Sequence, residues 1–259
     1  MSNDSSRRIL ITGASRGIGR AAALDFARRG HRLVLAARDL DRLRALAAEI
    51  AALGGRAEVV ELDVSSDDSV ARAAAEILAV GPLDVLINNA GVFQQRLFLD
   101  QDPAWARHEM EVNYFGAQRV ARAILPAMLE RRSGTLVNVA SLLAAVPGAT
   151  VANYCGTKAA LVAWSHALRG EVERQGVRVV VFMPSHTATE AALENTRFDG
   201  VYALPVDYTA AQLVRASERA PRSMAASPVF RLFLRLAAVF PGWAERQMNA
   251  STRALLPTP

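Results

Sequence analysis

Ile9-Leu10-Ile11-Thr12-Gly13-Ala14-Ser15-Arg16-Gly17-Ile18-Gly19 carries the chain's first apolar run straight into a glycine turn. A strand, a tight turn and a helix in that order, the helix continuing to about Arg29 and Arg32 to Ala36 turning apolar again, make a βαβ crossover. Side chains at Gly13, Gly17 and Gly19 would block the turn. Without them, the backbone N–H groups around Ser15, Arg16 and Ile18 and the positive end of the helix dipole can meet a pyrophosphate. Glycines also serve tight strand-to-helix turns, so the turn alone leaves the ligand open.

Outward from that unit the pattern repeats. A helical stretch from Leu40 to Ala52, then Gly54-Gly55, precedes the run Ala57 to Leu62; a helix around Ser69 to Leu78 and the turn Gly81-Pro82 precede Val85-Leu86-Ile87. A long helix around Trp105 to Glu130, the strand Thr135 to Val139, a helix from about Asn153 to Arg174 and the strand Val177 to Phe182 follow. This alternation predicts an α/β fold, a doubly wound parallel sheet with helices on both faces. No linker rich in Pro, Gly or Ser divides the 259 residues, so 1–259 reads as a single domain. After Pro184 the alternation stops. Residues 185–205 read as a loop with at most one short helix, placed beyond the carboxyl ends of the strands where a substrate lid belongs. A helix from Ala210 to Arg219 and an apolar segment, 228–240, complete the chain.

With 51% hydrophobic and 21% charged residues, the composition is that of a soluble protein with a large core. One cysteine makes no internal disulfide, which fits a cytoplasmic protein. The net charge of +5 raises nucleic acid as a partner, but the arginines are scattered and no reading-helix or zinc-finger pattern accompanies them, so none is expected, nor any metal. The polar start, Met1 to Arg8, lacks the apolar region of a signal peptide, and no apolar stretch approaches the roughly 20 residues of a spanning helix.

At the end of the second strand an acid would bind a ribose 2′-OH and a base a 2′-phosphate. Ala37 and Arg38 stand there, and Arg16 offers a second guanidinium, which predicts NADP(H) in preference to NAD. Asn88-Asn89-Ala90-Gly91 follow the fourth strand, where the two amides can stitch strands together or line the adenosine ribose.

Tyr154 and Lys158 stand one helical turn apart on a shared face, so the ammonium is expected to favour the phenolate and bring the phenol toward working pH. Lys158 is the only lysine of the chain. A guanidinium could not supply the same compact, tunable charge. Ser141, thirteen positions before Tyr154, can place its hydroxyl beside the phenol and hydrogen-bond a substrate oxygen.

The glycine turn T-G-x-x-x-G-x-G, Asn88-Asn89-Ala90-Gly91, Asn113, Ser141, Tyr154 and Lys158 together resemble the short-chain dehydrogenase/reductase family, over about residues 8 to 190. The resemblance implies a Rossmann fold, contact of Asp63-Val64 with the adenine, of Asn89, Ala90 and Gly91 with the adenosine ribose, and of Thr187 and Thr189 with the carboxamide and pyrophosphate. It gives Asn113 a water-holding role beside Lys158, and both Tyr154 and Lys158 contact with the cofactor. The implied reaction moves a hydride between nicotinamide and a carbonyl or alcohol carbon, with Tyr154 as acid or base. Where the family usually has Pro-Gly after the sixth strand, this chain has Pro184-Ser185.

Val92-Phe93, Leu142 to Val146 and Ala188, Ala191, Ala192 and Leu193 give the presumed pocket apolar walls, favouring a lipophilic substrate. The 228–240 segment carries only Arg231 and Arg235 among apolar residues and can lie on a membrane surface, on another subunit or over the substrate mouth. The resemblance also implies a homo-oligomer, dimer or tetramer. An acyl-thioester ketoreductase and a non-catalytic dinucleotide sensor are the alternatives.

Overall fold

The computed structural model describes residues 6–195 and 203–252. Seven parallel strands form one sheet: β1 (Arg8–Thr12), β2 (Arg32–Ala37), β3 (Arg56–Glu61), β4 (Val85–Asn88), β5 (Gly134–Val139), β6 (Val177–Met183) and β7 (Ser223–Ala225), in the spatial order β3-β2-β1-β4-β5-β6-β7. The order reverses between β1 and β4, so the loops leaving these strands diverge to opposite faces and open a crevice.

Strand pleating divides the core into two layers. Ile9, Ile11, Leu33 and Leu35 point to the layer formed with α1 (Gly17–Arg28), α2 (Leu40–Ala52) and α8 (Val206–Arg219). Their neighbours Leu10, Val34 and Leu86 point to the layer shared with α3 (Asp67–Val80), α5 (Ala117–Glu130) and the end of α6 (Ala152–Val172). Both faces of each central strand are therefore buried, which is why the strands read as continuous apolar runs.

The expected helix Trp105 to Glu130 is not continuous. It is α4 (Pro103–Met110), a π turn over Glu111–Gly116, and α5. Gly116 within that turn sits against Val64, where a Cβ would lie 2.7 Å from a Val64 methyl. In the expected loop 185–205, α7 (Glu190–Asn195) is the short helix, and its flanks are pinned by Ala188 N–H to Leu204 O and Leu204 N–H to His186 O; the part of that call at 196–202 lies outside the described residues. Two elements gave no signal in the sequence. β7 is only three residues long, and α10 (Pro241–Thr252) begins with Pro-Gly, which reads as a breaker although proline suits the first turn of a helix. The apolar segment is α9 (Pro228–Val239).

Arg8 shows how the sheet edge is tied together. Only 2% exposed at the start of β1, it donates to both Glu58 carboxylate oxygens on β3 (3.0 and 2.5 Å) and to the Ile77 and Gly81 carbonyls at the end of α3 (2.8 and 2.6 Å). Removing the guanidinium leaves two buried carbonyls without donors. Arg8→Ala should lower stability by about 2–3 kcal/mol in urea denaturation, and Glu58→Gln, whose side chain is partly in water, by less.

Candidate active site

The crevice between the β1 and β4 loops is closed by backbone. Gly13 has φ +66°, and a Cβ there would lie 2.8 Å from the Ala90 Cα; at Gly19 a Cβ would meet the Gly13 carbonyl at 2.5 Å and the Asn89 amide nitrogen at 2.6 Å. No side chain fits either position. Asn89 Nδ2 donates to Thr12 O (3.0 Å) and Gly13 O (3.2 Å), while Thr12 Oγ1 accepts from Asn89 N and Ala90 N, both at 3.0 Å. Asn88 turns the other way, donating to Ala117 O and to Asn138 Oδ1 on β5. The two amides thus divide the expected roles: Asn88 stitches strands, and Asn89 shapes the glycine turn and lines the cleft.

The cleft, of about 510 Å³, is lined by Gly13, Ser15, Arg16, Gly17 and Ile18, by Ala37, Arg38, Asp63 and Val64, by Asn89, Ala90 and Gly91, and by Tyr154, Lys158 and Thr189. Gly19 lies behind the turn. The N-termini of α2, α3 and α4 are capped by the side chains of Asp39, Ser66 and Asp102, whereas α1 has no side-chain cap and no acid in its first turn. Its N–H groups are left to an anion. Arg16 and Arg38 are exposed at the cleft and, among the described residues, form no ion pair, unlike Arg42, which holds Asp39 and Glu190. A dinucleotide with a 2′-phosphate fits this donor set. Burial pushes the Asp63 carboxyl up, but two hydrogen bonds from Ser65 to Oδ1, with Arg38 and His108 nearby, outweigh it and hold the group below the ordinary carboxylate range.

At the other end of the cleft, β5 and α6 bring Ser141, Tyr154 and Lys158 together. Ser141 follows the end of β5; its hydroxyl accepts from Leu143 N–H (3.1 Å) and lies close enough to the Tyr154 phenol to favour the phenolate. Phe93 packs edge-on against the phenol ring, centroids 4.7 Å apart. Lys158 Nζ donates to Val139 O (2.9 Å) and stands 5.8 Å from the ring centroid. The expectation that Lys158 brings the phenol toward working pH is corrected here. Burial pushes the phenol well above its ordinary value, with the Ser141 hydroxyl opposing it, and burial pushes Lys158 down to about 8. Around Tyr154 both neutral forms gain, and burial outweighs the pull of the ammonium, one of whose N–H groups is donated to the Val139 carbonyl.

Asn113 lies in the π turn. Its Oδ1 accepts from Val92 N (2.8 Å), and its Nδ2 donates to Val92 O (2.9 Å) and Thr157 Oγ1 (3.1 Å). A Cβ on Gly91 would lie 3.0 Å from Asn113 Oδ1 and 3.5 Å from Lys158 Nζ, so the two side chains converge on Gly91. Thr189 has its methyl over Gly17 and its hydroxyl accepting from Ala192 N. Thr187 lies outside the cleft lining, its hydroxyl held by Ser185 O (3.0 Å) and Thr209 Oγ1 (3.2 Å). Ser185 keeps a negative φ, so a side chain is accommodated there, and its buried hydroxyl has no hydrogen-bond partner. Two residues escaped sequence reasoning: Thr12, whose hydroxyl joins the two loops, and Glu109, fully buried one turn before Asn113. The Thr-Gly pair signalled the first. A charged residue in a helix gave no sign of the second.

Residues 7–199 match the family described as short chain dehydrogenase. The chain is 36% identical over 213 residues to Dehydrogenase/reductase SDR family member 7B of Bos taurus, covering 79% of this chain but 65%, just under two thirds, of that relative. A short-chain dehydrogenase from Sphingobium yanoikuyae in complex with NADPH superposes with a TM-score of 0.81 at 30% identity, over 92% of this chain and 94% of the other. An alcohol dehydrogenase from the archaeon Thermococcus sibiricus, complexed with 5-hydroxy-NADP, gives 0.77 at 28% identity, over 85% and 96%. With its reversed strand order, uncapped glycine turn and Ser141-Tyr154-Lys158 cluster, the chain belongs to the short chain dehydrogenase family of oxidoreductases.

Proposed function

We propose that this protein is a single-domain NADP(H)-dependent oxidoreductase acting on a carbonyl or alcohol carbon of a lipophilic small molecule. The observation that carries the reading is that Ser141, Tyr154 and Lys158 stand together at a cleft whose lining also holds the glycine turn and two guanidiniums, Arg16 and Arg38, that form no ion pair among the described residues. NADPH, bound there, supplies the hydride. In reduction, Tyr154 gives its proton to the substrate oxygen; a phenol pushed up by burial keeps that proton until the oxygen takes on charge. Ser141 holds the same oxygen. Lys158, at about 8, still carries its proton at pH 7 and stabilises the phenolate left behind. Asn113 would hold a water toward Lys158, Asp63 and Val64 would flank the adenine, Thr189 would face the pyrophosphate, and Thr187, whose hydroxyl is held by Ser185 O and Thr209, would approach the carboxamide. Val92, Phe93, Pro184 and Ala191 give the cleft lining apolar members, and Phe93 packs directly on the Tyr154 ring. Those contacts support a lipophilic substrate.

Two measurements test this. In fluorescence titration, NADPH should bind more tightly than NADH, and Arg38→Gln should weaken NADPH by about 10- to 100-fold, the worth of a charged hydrogen-bonded pair, while leaving NADH unchanged. Nicotinamide absorbance over apolar ketones, aldehydes and an acetoacetyl thioester should show turnover that Tyr154→Phe lowers by about 10²- to 10⁴-fold. Thioester turnover alone would favour the ketoreductase reading. Tight binding with no turnover on any compound would favour the sensor.

We further propose that α9 rests on an anionic membrane surface. Val229, Leu232, Leu236 and Val239 share one face and are 71, 58, 40 and 67% exposed, with Phe240 and Trp243 continuing the patch. The opposite side, Phe233, Leu234 and Ala237, packs toward Val146 in the loop that follows Ser141. Arg231 and Arg235 are exposed on α9, and Glu245 is the one acid in α9 and α10. A second copy seated on this face would meet arginines with arginines; phosphate headgroups offer the missing anions. No helix among the described residues is long and apolar enough to cross a membrane. The protein should float with phosphatidylcholine vesicles containing phosphatidylglycerol, less so with phosphatidylcholine alone, and Leu232→Ser with Leu236→Ser should abolish flotation. A dimer that the same pair converts to monomer, without flotation, would assign the face to a second subunit.

A further inference from the structure

Glu109 is completely buried in α4, yet among the described residues no cation pairs with it. A carboxyl in that position needs compensating donors. Its Oε1 accepts from the Gln94 backbone N–H at 2.9 Å, and its Oε2 from Gln101 Nε2 at 3.4 Å. Gln101 in turn accepts from Asn153, the residue before Tyr154 on α6. The buried indole N–H of Trp105, one turn earlier, is turned to the same carboxyl without a hydrogen bond of standard geometry.

One turn later on the same face, Asn113 holds both backbone groups of Val92. Val92 and Gln94 are thus clamped by side chains one helical turn apart, and the residue between them is Phe93, whose ring stands at 90° to that of Tyr154. We propose that Glu109 is a positioning residue for Tyr154: with Asn113 it fixes the segment 92–94 that presses Phe93 against the phenol. The proposal rests on the reading of Tyr154 as the acid–base group.

In the full-length protein, Glu109→Ala removes the clamp and Glu109→Gln, which keeps an acceptor for Gln94, serves as the conservative rescue. Hydrogen exchange of the 92–94 amides, read by mass spectrometry, needs no turnover, so it tests the clamp even if the reading of Tyr154 fails. Glu109→Ala should speed exchange there by about tenfold or more and lower kcat by about tenfold with the KM for NADPH unchanged. Glu109→Gln should retain native exchange and near-native kcat. Native exchange and kcat in Glu109→Ala, or a loss in Glu109→Gln as large as that in Glu109→Ala, would overturn the clamp.

Discussion

The Thr12 hydroxyl and the Asn89 amide lock two loops that would otherwise diverge. β1 and β4 pair only as far as Ile11 and Ile87, and beyond that register the strand order reverses and the two loops leave toward opposite faces. Thr12 Oγ1 accepts from two successive backbone N–H groups of the second loop, and Asn89 returns two bonds to carbonyls of the first. With that contact made, Gly13 is forced against the Ala90 backbone and Gly19 against the Gly13 carbonyl, closer than any side chain allows. The floor of the cleft is therefore main chain, as binding a pyrophosphate closely requires, and the glycines are a consequence of the lock as much as of the ligand.

Beyond that floor the cleft lining is mixed, with Arg16, Arg38, Asp39, Arg42 and Asp63 among its members and the apolar Val92, Phe93, Pro184 and Ala191 among the rest; Phe93 packs edge-on against Tyr154. Burial around Tyr154 changes how its phenol responds to its neighbours. A phenol in water has little reason to respond to a hydroxyl or an ammonium nearby, whereas in an apolar wall the same groups interact strongly, at the cost of pushing both Tyr154 and Lys158 toward their neutral forms.

Most of the sheet was legible in the sequence because its strands are buried on both faces and its turns are punctuated by glycine. Leu40–Ala52 was predicted to the residue, and the other central strands and helices to within one or two residues at most ends. The first misreading was a matter of period: a π turn keeps the apolar spacing of a helix on both sides, so Trp105 to Glu130 reads as one helix although Glu111–Gly116 is wider. The second was β7, too short to carry a pattern. Within the site, residue types with one purpose at one spacing, Tyr154 and Lys158 above all, were visible. Their electrostatics were not, since the rank of burial over charge depends on what surrounds the pair. Glu109 was invisible for the same reason: on a helix an acid reads as solvated, and only the packing of α4 against the 92–96 segment buries it.

The π turn ties these observations together. This turn, Glu111–Gly116, separates the helical half that lays Glu109 on Gln94 from the half that packs Val120 and Ile124 into the core beneath the sheet. It also places Asn113 where its amide reaches Val92 and Thr157 at once, and brings Gly116 onto Val64 in the cleft lining. A local departure from regular helix thus connects Val92, next to the Phe93 that packs on Tyr154, with Val64 of the cleft lining, which is a reason for a less favourable helical geometry to persist at this position.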